Sequence, residues 1–155
     1  MTAEEFKKKC DAVEGYTSLG LLDEAWDILE DLPPEVKITK EVITLHMAIL
    51  VKSGEYLKAS YLAETLSMSE PDNADRLLMV ARYRYMAGEV ADSILWLQSA
   101  EKKCSGDACF HYLSAQCHAS VGDIELAKAS LKTAFEINET LRLGALDDPV
   151  FSELW

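Results

Sequence analysis

Five side chains able to ligate a metal or attack an electrophile fall within fifteen positions: Cys104, Cys109, His111, Cys117 and His118. Thiolate and imidazole are the usual ligands of zinc, and a cysteine beside a histidine is the beginning of nucleophilic catalysis. The spacing opposes both. There is no C-x2-C pair, and on one helix Cys109, His111 and Cys117 point in different directions, so no three of them converge on a tetrahedron. A thiol nucleophile also needs an orienting partner and an oxyanion hole, and the sequence offers neither. The acid pairs Asp23-Glu24, Glu30-Asp31 and Asp147-Asp148 stand at helix ends or on exposed faces, where water solvates them. The seven glycines are spread singly, so none forms a phosphate-cradling loop. The expectation is a protein with no catalytic residue, no metal and no cofactor. Its four cysteines, Cys10, Cys104, Cys109 and Cys117, are expected as reduced thiols.

Those glycines punctuate a repeat. Gly20, Gly54, Gly88 and Gly122 stand 34 residues apart, and each opens a segment with small and apolar residues at helical spacing. Five residues on come Ala25, Ala59, Ser93 and Ala127, small enough for helices to approach closely. Nine on come Leu29, Ala63, Leu97 and Leu131, and twelve on Leu32, Leu66, Ala100 and Ala134. One face of every second helix is therefore core. The first helix begins at a capping box of Thr2 and Glu5, presents Phe6, Cys10, Val13 and Thr17 as a stripe, and stops before Gly20. A second helix runs from about Leu22 to Leu32, where Pro33 and Pro34 end it. The pattern predicts four helix-turn-helix units, 6–39, 40–73, 74–107 and 108–141, in a single domain spanning 1–155. Beyond them Thr140 to Leu146 continues as helix. A short restart at Pro149 carries Phe151, Leu154 and Trp155 as an apolar patch, and residues 142–155 read as a cap over the last pair, which an array would otherwise leave bare, the alternative being a peptide tail offered to a partner.

The 34-residue period and these columns resemble the tetratricopeptide repeat (TPR), in the form of a small bacterial-type protein of four repeats. The resemblance covers about 136 of the 155 residues. It implies an all-α fold, a TPR solenoid of four helix pairs with C-terminal capping helices and a concave groove lined by the first helix of each pair. Carried residue by residue, the family's groove positions give Val51 and Lys52 in the second unit. They give Leu78, Arg82, Tyr85 and Met86 in the third, and Tyr112 and Gln116 in the fourth. Leu78, Tyr85, Met86 and Tyr112 would form an anchor pocket, the other reading being that Tyr85 and Tyr112 pack between adjacent first helices; Arg82 and Lys52 would receive a carboxylate, while Trp26 and Trp96 fall on the convex face. The family's clamp for chaperone C-termini needs Lys and Asn where Cys10 and Glu14 stand, so that mode is not expected.

Composition narrows the partner. The net charge of -12 opposes phosphate backbones and anionic lipid, which attract clustered Lys and Arg. No apolar run approaches the ~18 residues of a membrane span, and residues 1–6 lack the features of a signal peptide. The reading is a cytoplasmic, non-enzymatic protein-interaction module, a scaffold or adaptor that holds a peptide or helix of another protein in its groove, with no nucleic acid and no membrane as partner. The alternative is a secretion or assembly chaperone that shields apolar client segments.

Overall fold

The computed structural model describes residues 1–155, which form ten α-helices, one 3-10 helix and no strand. The chain divides into two compact units, 1–69 and 70–155.

The first unit holds α1 (Ala3–Leu19), α2 (Leu22–Glu30), a single turn α3 (Pro34–Lys37), α4 (Lys40–Lys52) and α5 (Tyr56–Ser69). The capping box forms with both of its bonds: the Thr2 N–H donates to the Glu5 carboxylate at 2.7 Å and the Glu5 N–H donates to the Thr2 hydroxyl at 3.1 Å. Helix α1 ends where Gly20 turns left-handed, with φ at 78°, and its N–H reaches the carbonyls of Thr17 and Tyr16. Gly54, Gly88 and Gly122 repeat that conformation, with φ of 79°, 85° and 81°. A side chain at any of these positions would meet the steric penalty of the left-handed region, so the 34-residue glycine period records a backbone requirement. Phe6, Cys10 and Val13 face the core of α2 and α4, where Val13, Ala25, Leu29, Val42 and Ile49 are buried together. Full burial of a side chain such as Leu29 contributes roughly 1.5–3 kcal/mol.

Helix α2 ends at Glu30, two residues short of the expected Leu32, with Asp31 as its C-cap. Pro34 opens α3, because the first position of a helix has no use for the N–H that proline lacks. The turn brings Lys37 within 3.2 Å of the Glu30 carboxylate.

The second unit holds α6 (Ala74–Met86), α7 (Val90–Cys104), α8 (Ala108–Ser120), α9 (Ile124–Ile137), α10 (Leu141–Asp147) and the 3-10 helix Pro149–Leu154. Asn73 and Asp107 cap α6 and α8 with side-chain oxygens. All four small residues five places after the glycines, Ala25, Ala59, Ser93 and Ala127, are wholly buried. Ser93 is the polar member, and its hydroxyl is satisfied by donating to the Ala81 carbonyl at 2.7 Å while accepting from the Cys117 thiol at 3.3 Å. Arg84 is nearly buried and pairs with Asp92 at 3.0 Å.

After α9 the helix does not run on unbroken. Asn138 is extended, and its side-chain oxygen accepts from the N–H and hydroxyl of Thr140, which restarts the chain as α10. Asp148 then caps the 3-10 helix through the Val150 N–H. Phe151 is wholly buried among Ala115, Leu131, Phe135 and Ala145, with Leu154 packed alongside. Trp155 departs from the expected patch: it is 59% exposed.

Candidate functional site

The sulfur and imidazole groups that looked most reactive are placed apart, and no three His, Cys, Asp or Glu side chains gather in a geometry that would hold a metal ion. Cys104 is buried, with its thiol toward the Ala74 carbonyl, and Cys117 is buried against Ser93. The ring nitrogen Nε2 of His111 lies 2.7 Å from the Ser105 carbonyl. All four thiols are free, and only Cys109 is exposed. Burial pushes the Cys104 and Cys117 thiols up from their ordinary range, with nearby Asp107 and Asp75 adding to the effect at Cys104 and Ser93 offsetting it at Cys117. Because the thiolate is the reactive form, a thiol reagent should modify Cys109 first in the folded chain and reach Cys104 and Cys117 only on unfolding. Timed labelling with mass spectrometry checks the order. Cys117 reacting as fast as Cys109 would overturn this packing.

Of the eight residues assigned to a groove, Val51 and Lys52 belong to the first unit, half-buried and exposed respectively, and the other six to the second. Leu78 is buried in the core with Leu97, Phe110 and Leu113, so it supports the surface from beneath. Arg82 is exposed beside a cavity of about 220 Å³ that it shares with Asp75, Tyr83 and Cys109. Met86 is exposed and Tyr85 half-buried.

Tyr85 and Tyr112, predicted to be neighbours from adjacent first helices, do come together, and what they surround is a carboxylate of the chain itself. The Gln116 amide donates to Asp148 at 2.8 Å and the Tyr112 hydroxyl points at the same oxygen from 3.5 Å. The ring of Tyr112 meets Phe151 edge-on, with centroids 5.5 Å apart. Burial first, and the Asp148 charge second, push the Tyr112 phenol up to about 12. The Tyr85 phenol is also raised, by burial first, with a hydrogen bond to Ser120 opposing and Asp148 reinforcing. Asp148, expected as solvated surface, is therefore a bonded group. Nothing in an Asp-Asp-Pro stretch signals that, since the same residues begin any exposed helix.

A larger cavity lies elsewhere, within the first unit. About 600 Å³ opens between α2 and α5 over a floor from α4, lined by Leu22, Trp26, His46, Ile49, Leu50, Tyr61 and Leu62, with Asp23, Glu30, Glu55 and Lys58 among its polar residues. Trp26 and His46 pack ring against ring at 5.0 Å. Burial lowers the His46 imidazole below its ordinary value, Glu30 opposing that shift and Lys37 adding to it. Two repeats further on, a cleft in the equivalent register of the second unit measures only about 180 Å³. There Ile94, Gln98, Ser114, His118 and Ser130 stand where the first unit has Trp26, Glu30, His46, Leu50 and Leu62. Sequence reasoning missed this cleft because it sought a binding surface only at the family's groove positions on the first helices and read the second helices for core alone. The column six places after each glycine, Trp26, Ser60, Ile94 and Lys128, holds an aromatic ring only in the first repeat and was the available signal.

Helix pairs at a 34-residue period, left-handed glycines at every intrapair turn and an extra pair of short helices closing the end define an all-α fold of the tetratricopeptide type. A solved structure of that kind, MamA MSR-1 C2, matches over 90% of this chain and 82% of its own, with a TM-score of 0.73 and 19% sequence identity. No protein-family profile matches the sequence, and no curated protein does. No helix is long and apolar enough to cross a membrane.

Proposed function

We propose that this chain is a non-enzymatic protein-interaction module that holds a peptide or helical segment of a partner protein against the faces of its first helices. One observation carries the reading. On α8, two of the positions assigned to partner contact, Tyr112 and Gln116, already receive the chain's own closing segment, with Asp148 held by its carboxylate and Phe151, on the 3-10 helix, buried as an aromatic anchor. A polar group fixed by donors beside a buried ring is how peptide-binding surfaces divide affinity from orientation. Within the second unit, Arg82, Tyr85 and Met86 are the positions left for a partner, with Leu78 bracing them from beneath.

The test is a selection of displayed random peptides on the wild-type chain, followed by calorimetry with those recovered. Tyr85→Ala should weaken the selected peptides about tenfold or more, as truncated aromatic anchors do. Arg82→Glu should weaken acidic ones further, and more at low salt than at high, because salt screens an exposed charge. Undiminished affinity in both variants, with melting unchanged, would remove the first-helix face from the function. Recovery of long apolar segments without a shared motif would move the reading to the secretion or assembly chaperone.

A further inference from the structure

We infer that the cleft between α2 and α5 is a second docking site, for a basic amphipathic helix of a partner protein. Three observations lead there. The cleft is an open trough of about 600 Å³ between two helices. It is also not a by-product of the repeat, since the equivalent cleft two repeats on has a third of the volume and neither Trp nor Tyr in its lining. Finally, its chemistry is sorted: a floor that includes Leu50, walls carrying the half-exposed rings of Trp26 and Tyr61, and the carboxylates of Glu30 and Glu55 among its polar groups.

That combination selects one occupant. A trough between two helices takes a third helix whose apolar residues recur at i, i+3 or i+4 and i+7. The two carboxylates are now shared with lysines of the same unit, Lys37 on Glu30 and Lys58 on Glu55, and a partner Lys or Arg can take over either as a charge-assisted pair. Residues 1–69 carry seven Lys and no Arg against thirteen Asp and Glu. An acidic helix, an anionic lipid surface or a second copy of this chain would bring like charge to the same mouth, at a cost in each case.

The probe is an 18-residue Leu/Lys amphipathic peptide without tryptophan, set against its Leu/Glu twin, on the full chain. The basic peptide should bind at least tenfold more tightly than the acidic one. The chain's three tryptophans give three indole N–H signals in a nitrogen-15 correlation spectrum. Trp26 should shift on binding while Trp96 and Trp155 stay still. Tyr61→Ala should weaken binding about fivefold or more, and Glu30→Gln should weaken it at low salt but converge with wild type at high salt. Tyr85→Ala, in the second unit, should leave it unchanged, which separates this site from the first-helix surface. Equal affinity for the two peptides, movement of all three indoles together, or full binding by Tyr61→Ala would each overturn the proposal. A concentration-dependent dimer that Tyr61→Ala abolishes would assign the cleft to a second copy and overturn it as well.

Discussion

Phe151→Ala should cost about 3 to 5 kcal/mol of folding stability, the range for emptying an aromatic site in a packed core. The reason is how completely the ring is enclosed. It is 0% exposed, seated among Ala115, Leu131, Phe135 and Ala145 and edge-on to Tyr112. Alanine there would leave a cavity that the surrounding helices α8, α9 and α10 can collapse onto only in part. Removing Asp148 to Trp155 altogether should do more than lower stability. It strips the partner from Gln116 and Tyr112 and bares the apolar face of α9, so the truncated chain should also associate. Trp155→Ala is the internal control: the ring is more than half exposed, and surface changes of that kind stay within about 0.5 kcal/mol. Urea melts and sedimentation read all three. A truncated chain as stable and as monomeric as the whole would mean that the closing segment is a detachable ligand stretch and not part of the fold.

The contrast between Phe151 and Trp155 shows what a sequence can and cannot carry. The repeat was legible because its causes are local and recur: a left-handed turn demands glycine every 34 residues, and a helix crossing demands Ala or Ser five residues later. Four copies of each demand reinforce one another. The closing segment occurs once. Its i, i+3, i+4 pattern identified an apolar patch, but a 3-10 helix winds more tightly than an α-helix, so Trp155 swings away from Phe151 and Leu154 into solvent. The partial occupation of the predicted groove was illegible for a related reason. The bond from Gln116 to Asp148 spans 32 residues, and nothing in either local stretch announces the other. The walls of the cleft around Trp26 lay in the second helices, over a floor from α4, where each residue read alone looked like ordinary surface or core. Its character appears only when Trp26 is set beside Ile94 and Glu30 beside Gln98.

Ala127→Leu should cost roughly 1 to 3 kcal/mol by overpacking, with the midpoint of a urea melt lowered and its slope unchanged. Ala127 is wholly buried on α9, which packs along α8 within the second unit. Three added carbons have nowhere to go, because the helices meet at this column in every repeat and the equivalent residues Ala25, Ala59 and Ser93 are equally enclosed. The neighbouring position separates overpacking from a change of helix propensity. Leu126 is 49% exposed, and Leu126→Ala trades one good helix former for another, so it should shift stability by no more than about 0.5 kcal/mol. The two substitutions exchange the same pair of residues in opposite directions, one place apart on one helix. If both leave the midpoint where it was, α9 does not meet α8 along the Ala127 face, and the column that fixes the repeat register is misassigned. If both lower it equally, the cost comes from the helix itself and says nothing of the crossing. A large loss at Ala127 beside a negligible one at Leu126 arises only when the small residue is what lets the two helices touch.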